Sequence, residues 1–170
     1  HHHVDNAAVD SVLSTIASGT REPIIPDYEN LEARLASTGY NILRSCIEGG
    51  RSRDEVIAAL SDGGLRGLGG AGFPTGRKWD LVRSQPGPRM MAVNADEGEP
   101  GTFKDRHYLE REPHAFLEGM LIAAWAVEAE AIYIYLRDEY PAVYKILLKE
   151  ISALRAAGFT NHTKVHLRRG

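Results

Sequence analysis

Two short stretches concentrate the residue types that can bind or transform a ligand. The first, from Gly63 to Gly76, contains Gly67-Leu68-Gly69-Gly70-Ala71-Gly72 and Phe73, with Arg77 and Lys78 just beyond. Glycines without a Cβ let backbone N–H groups approach a phosphate or a flat ring, and the two cations add positive charge. Phe73 offers a surface for stacking. The spacing matches G-x-G-x-x-G, but a Rossmann fingerprint follows a strand and opens a helix, whereas this stretch follows a helical pattern. The Walker pattern fails too, because Gly72 precedes Phe73 and not a lysine with a hydroxyl residue. A flexible turn closing the preceding helix explains the same glycines more plainly.

The second stretch, Asn94-Ala95-Asp96-Glu97-Gly98-Glu99-Pro100-Gly101-Thr102, packs three carboxylates and an amide into one loop. Carboxylates repel phosphates but accept from ribose and ribityl hydroxyls, and an asparagine amide suits the polar edge of a heterocycle. A basic glycine loop for phosphates facing an acidic loop for polyols would make a nucleotide or flavin site. The same cluster also reads as solvated surface, or as a divalent metal site from Asp96, Glu97 and Glu99, although that spacing matches no common metal loop. No Ser–His–Asp or Cys–His set can be assembled. His162 and His166 read as surface histidines. His107 and His114 flank the acidic loop without an evident role. The single cysteine, Cys46, lies among Ile42, Leu43 and Ile47 and reads as a small buried hydrophobe.

The elements that must hold these loops follow from hydrophobic spacing. Val9, Val12, Leu13 and Ile16 predict a helix behind Asp5 that ends at Gly19. Tyr28, Leu31 and Leu35 predict a second behind an Asp27 N-cap, stopped by Gly39, with an extended linker over residues 21–26. Ser52-Arg53-Asp54-Glu55 is a capping box that opens a helix with Val56, Ile57 and Leu60 inward and Gly63-Gly64 at its end. Strands are predicted over Arg89–Asn94, Ala131–Leu136 and Thr163–Leu167. Between them lie helical patterns over Pro113–Glu128 and Pro141–Ala157, each with proline at its first turn. Strand–helix–strand–helix–strand implies α/β: N-terminal helices, then a βαβαβ Rossmann-like parallel sheet with right-handed crossovers. Residues from Ala95 to about Glu112 then form a long loop at the carboxyl end of the first strand, where open α/β sheets place ligands. The expected organisation is a tag remnant at 1–3, a helical segment at 4–50 and an α/β domain carrying both loops at 51–170.

Composition sets outer bounds. The chain has 170 residues, a formal net charge of −3, 43% hydrophobic and 25% charged residues, as in folded globular proteins. That charge gives no electrostatic case for nucleic acid. The longest apolar run, Met120 to Val127, is far short of the ~20 residues of a membrane-spanning helix, so no membrane insertion is expected. One thiol cannot supply the ligands of an iron–sulfur cluster or structural zinc, and no metal ligands are expected here. A reducing, cytoplasmic location fits the lone cysteine.

Three ordered motifs carry a family resemblance. Arg66 through Trp79 resembles the NADH/FMN loop of the NADH-binding FMN flavoprotein subunit of respiratory complex I. Val93 through Arg106 resembles the FMN-binding loop of the same family, and Ile134-Tyr135-Leu136-Arg137-Asp138-Glu139-Tyr140 its next strand end. Within the family, Gly64–Gly70 and Ala123–Ala129 look most like the β (diaphorase) subunit of soluble NAD-dependent formate dehydrogenase. The resemblance covers roughly Leu31 to Gly170. It implies an oxidoreductase subunit that transfers a hydride between NADH and FMN, with no side chain acting as a catalytic acid or base. Its partners would be an iron–sulfur subunit and a formate dehydrogenase catalytic subunit. By the same resemblance Gly67, Gly69, Gly70, Ala71 and Gly72 would line flavin and nicotinamide, Phe73 would stack on the adenine, and Lys78 would reach cofactor phosphate or hydroxyls. Asn94, Asp96 and Glu97 would hold FMN, with Glu99 beside the nicotinamide. Leu68 stands where many members carry arginine, and Leu81 where a second stacking aromatic often lies. A further FMN motif and the cysteines of a 4Fe-4S cluster are expected beyond Gly170, so the chain reads as a fragment, inactive in isolation. A non-redox dinucleotide-binding or structural module is the alternative.

Overall fold

In the computed structural model, residues 13–14, 22–37, 39–68 and 70–170 are described. Helices α1 (Leu31–Ser37), α2 (Asn41–Ile47), α3 (Arg53–Asp62) and α4 (Thr75–Arg83) precede strand β1 (Arg89–Ala95). Helices α5 (Asp105–Arg111) and α6 (Pro113–Val127) lead to β2 (Ala129–Leu136), and α7 (Pro141–Ala156) leads to β3 (Lys164–Arg169). The strands pair in parallel in the order β1-β2-β3. This is the expected α/β arrangement, with helices first and a βαβαβ sheet after them.

Register explains the core. Ala95, Leu136 and Arg169 are aligned at the carboxyl edge. Counting back in twos puts Val93, Ile134 and Leu167, then Met91, Ile132 and Val165, on one sheet face. These residues pack with Leu117, Met120 and Leu121 of α6 and Val143, Leu147 and Ile151 of α7. The opposite face carries Met90, Tyr133, Tyr135 and His166, with Met90 and Tyr135 exposed. Tyr133 and His166 stack there with ring centroids 4.8 Å apart. Helix α6 is buried on most of its circumference because α2, α3 and α4 cover the side turned away from the sheet.

Several local signals act as the sequence implies. Ser52 and Glu55 form the reciprocal capping box at the start of α3. Proline occupies the first turn of both α6 and α7, and α6 stops at Glu128 in the left-handed region. Cys46 is buried, and desolvation raises its thiol pKa. Two expectations need correction. Helix α1 starts at Leu31, and its cap is Asn30, whose Oδ1 accepts from the Ala33 N–H at 2.9 Å. Asp27 does not cap it, because Tyr28 is drawn instead to a buried carboxylate on α7. His162 is only partly exposed: its Nε2 sits 3.2 Å from the Leu121 carbonyl. The predicted helix over residues 9–16 falls outside the described residues except for Leu13 and Ser14, as do the three leading histidines.

Residues 28–43 join the same core through a buried polar network. The Tyr40 hydroxyl donates to His114 Nδ1 at 2.7 Å, and His114 Nε2 donates to Glu150 Oε2 at 2.9 Å. Glu150 also accepts from the Tyr28 hydroxyl at 2.7 Å and the Leu31 N–H at 3.1 Å. Burial pushes the His114 pKa down against the opposing pull of Glu150. Nearby, Arg34 pairs with Glu118 of α6 at 3.0 Å. A lone histidine in an apolar helix is therefore a satisfied structural node.

Candidate cofactor-binding site

The glycine-rich stretch links α3 to α4. Its base is a short antiparallel pairing: the Gly67 N–H donates to the Phe73 carbonyl at 3.0 Å, and the Thr75 N–H donates to the Leu65 carbonyl at 2.8 Å. The Arg66 guanidinium reaches across to the Gly72 carbonyl at 2.9 Å. Gly72 has φ +58, and a Cβ there would meet nothing within 4 Å. Leu68 is fully exposed. Gly76 is different. A Cβ there would lie 2.8 Å from the Ile57 carbonyl and 2.9 Å from the Ser61 nitrogen, so the glycine lets α4 seat against α3.

Gly67, Ala71, Gly72, Phe73 and Lys78 share one cavity of about 340 Å³ with Thr75 and Trp79. That volume falls in the range of small-molecule sites. Gly70 belongs to the same loop at φ +89, and Gly69 lies outside the described residues. Lys78 is exposed and pairs with no carboxylate among the described residues. The Arg77 guanidinium lies over the Phe73 ring at 5.8 Å. The loop thus offers exposed backbone, a cation and an aromatic ring around one opening. These are groups suited to phosphates and flat rings.

The acidic loop leaves β1 at the carboxyl edge of the sheet. It is shorter than the sequence implies, because Asp105–Arg111 winds into α5. The reason is Glu97. Its Oε1 accepts from the Lys104 N–H and, at 2.7 Å, from the Asp105 N–H. Its Oε2 accepts from the Arg106 N–H at 3.1 Å and the Tyr140 hydroxyl at 2.9 Å. Three backbone donors at the start of α5, which a helix cannot satisfy internally, are met by this one carboxylate. Burial alone would push the Glu97 pKa up. The N–H groups of Arg106, Lys104 and Asp105 and the Tyr140 hydroxyl outweigh it and pull the carboxyl down to about 2.

Its neighbours are arranged differently. Asn94 Oδ1 accepts from the Asp96 N–H at 3.0 Å, which leaves the amide NH₂ to donate. Among the described residues, the Asp96 and Glu99 carboxylates accept no hydrogen bond and pair with no cation. Nor do any three His, Cys, Asp or Glu side chains converge there as metal ligands would. Two contributors were not evident from sequence spacing. Arg137 donates to the Glu97 carbonyl at 2.7 Å and pairs with Glu139, and Tyr140 reaches Glu97 itself. Both follow the carboxyl end of the strand beside β1, and that placement was the available signal.

Residues 60–170 match the family described as the Nuo51 FMN-binding domain. An NADH-quinone oxidoreductase subunit of Aquifex aeolicus is 45% identical over 134 residues, 79% of this chain and 31% of the relative. The mitochondrial NADH dehydrogenase [ubiquinone] flavoprotein 1 of Dictyostelium discoideum is 42% identical over 131 residues, covering 75% of this chain and 27% of the relative. A crystal structure of an NAD⁺-reducing [NiFe]-hydrogenase in its H₂-reduced state aligns with a TM-score of 0.73 and 30% identity. That alignment covers 98% of this chain and 31% of the hydrogenase chain. The chain thus spans about a third of the length of these relatives.

Proposed function

The chain belongs to the Nuo51 FMN-binding domain family, and from that premise we propose that it holds FMN and NAD(H) for hydride transfer between them. The observation that carries this reading is the division of labour between the loops. One loop opens a cavity lined by glycine backbone, Phe73 and Lys78. The other presents unengaged acceptors from Asp96 and Glu99 and a donor from Asn94 at the carboxyl edge of the sheet. Gly67, Gly69, Gly70, Ala71 and Gly72 let the rings approach, Phe73 stacks on the dinucleotide, and Lys78 takes phosphate. Asn94 and Asp96 hold the flavin and its polyol, Glu97 belongs to that loop, and Glu99 lies beside the nicotinamide. The bound flavin itself supplies the hydride-accepting chemistry. The side chains contribute orientation, because two rings held in register react far faster than two in free solution.

The same reading places the parent protein in a multi-subunit redox complex that passes electrons to or from iron–sulfur clusters elsewhere. A cytoplasmic formate dehydrogenase is the assembly favoured by the resemblance of Gly64–Gly70 and Ala123–Ala129. Residues 51–170 are its cofactor domain, preceded among the described residues by α1 and α2. Among the described residues, no helix is long and apolar enough to cross a membrane.

Absorption spectra of the full-length parent protein reconstituted with FMN, recorded anaerobically with and without NADH, test the proposal. A flavin band that bleaches with NADH is expected, and Lys78→Met and Asp96→Asn should each lower flavin occupancy. Retention of NADH without any flavin band would leave a non-redox dinucleotide-binding module. Co-purification with a protein that reduces a dye with formate tests the assembly.

A further inference from the structure

The acidic loop contains one carboxylate that has no capacity left for a ligand. An ionised carboxylate offers about four lone-pair positions. At Glu97 all four are taken, by the N–H groups of Lys104, Asp105 and Arg106 and by the Tyr140 hydroxyl. The side chain is buried, and its backbone is held at φ +46, a conformation that non-glycine residues adopt only under local constraint. Arg137 fixes the same residue from the other side through its carbonyl, and the Arg137 N–H donates to the Ala95 carbonyl at 3.4 Å. Glu97 is therefore joined to β1, to the start of α5 and to the corner between β2 and α7.

We infer that Glu97 is a positioning residue: with Arg137 and Tyr140 it clasps the acidic loop so that its neighbours Asn94, Asp96 and Glu99 meet the ligand. This rests on the flavin reading of the site and assigns Glu97 no contact with the cofactor. The geometry supports the division, since alternate residues carry alternate duties. Asp96 and Glu99 have acceptors to spare, and Gly98 between them would place a Cβ 2.6 Å from Asp96 Oδ2, so glycine there leaves that carboxylate room. Replacing Glu97 with glutamine keeps the shape, but an amide nitrogen accepts no hydrogen bond. Placed at Oε2 it abandons the Arg106 N–H, although the Tyr140 hydroxyl can turn to accept from it, so the clasp loses at least one of its four bonds and its charge.

Amide hydrogen exchange at Lys104, Asp105 and Arg106, read beside FMN affinity from flavin fluorescence quenching in the full chain, separates positioning from contact. Glu97→Gln should speed exchange at those amides and weaken FMN on the order of tenfold, as losing one or two charge-assisted bonds would. Asp96→Asn should weaken FMN and leave the three amides as slow as before. Weaker FMN in Glu97→Gln with unchanged exchange would show that Glu97 touches the cofactor and overturn the inference. Unchanged FMN affinity would overturn it as well. If Glu97→Gln does not fold, Tyr140→Phe removes one donor from the same carboxylate and should move both readouts in the same directions, more weakly. Absence of FMN binding by the wild-type chain would sink the flavin reading alone. The clasp would then stand or fall on the exchange rates of the wild type against Glu97→Gln.

Discussion

Among its described residues, the loop from Arg66 to Pro74 is pinned at its base, by two backbone hydrogen bonds and one arginine, and its tip carries a fully exposed leucine. The loop from Asn94 to Lys104 is pinned from within, around a buried carboxylate that satisfies the first turn of the next helix. The first keeps its backbone open by having no side chains to fill the space. The second leaves two carboxylates open while a third absorbs the first-turn amides of α5 and the Tyr140 hydroxyl. Both devices prepare a surface for a ligand, but only the acidic loop couples that surface to the folded core. Mutations in it should therefore move stability and binding together, whereas at the tip of the glycine loop the two should separate.

The sharpest exception lies inside the glycine stretch. Gly76 is buried at the contact between α3 and α4; a Cβ there would meet first the Ser61 Oγ, which can rotate, and then the Ile57 carbonyl at 2.8 Å and the Ser61 nitrogen at 2.9 Å, backbone atoms that cannot swing aside. Gly76→Ala should destabilise the fold by roughly 1–3 kcal/mol, the usual cost of overpacking a tight contact. A thermal melt checks this, and a fall in Tm of several degrees is expected. An unchanged Tm would mean that α4 is not seated on α3 as described. Gly72→Ala, in open space at φ +58, faces only the intrinsic cost of that backbone region, about 1–2 kcal/mol.

Acid titration probes the other side of the comparison. The Glu97 carboxyl is held at about 2, below its ordinary value of 4.5. A depressed carboxyl contributes stability that is fully present above the ordinary value and is lost as pH falls through the folded one. Stability should therefore decline as pH falls from about 4.5 towards 2, with the amides of Lys104 to Arg106 losing protection over the same interval. In Glu97→Gln this part of the pH dependence should be absent. An acid limb of equal size in that variant would assign it to other carboxylates.

Which features were legible depended on how far apart the cooperating residues lie. The capping box Ser52–Glu55, the proline starts of α6 and α7, and the three strands are encoded within a few residues, so spacing alone locates them. The placement of the acidic loop at the carboxyl edge follows from strand order and needs no side-chain detail. The role of Glu97 was hidden because Tyr140 is distant in sequence and reaches it only once β1 and β2 pair, while the amides of Lys104 to Arg106 meet it only when the loop doubles back into α5. His114 was opaque for the same reason, since its partners Tyr40 and Glu150 come from opposite ends of the chain. The α1 cap lies at Asn30 and not Asp27 because nothing near Tyr28 announces that Glu150 will claim it. Gly76 looked like one more flexible glycine, although its requirement is steric and is imposed by another helix.

The smallest expected effect, and the cleanest test of the contrast between the loops, concerns Leu68. Its side chain is fully exposed at the tip of the glycine loop, so replacing it removes no packing. Leu68→Arg should leave stability within about 0.5 kcal/mol, as for surface positions generally. It would also add a cation to a region that already holds Arg66, Arg77 and Lys78, which should tighten binding of an anionic dinucleotide at low salt. Screening should erase the gain as ionic strength rises, because the charge is exposed to water. Titration with NADH at two salt concentrations, beside a thermal melt, reads both consequences. A gain at low salt with an unchanged Tm means that the tip meets the ligand and not the core. A shift in Tm of several degrees would mean instead that this loop, like the acidic one, is tied into the fold, and the distinction between them would collapse.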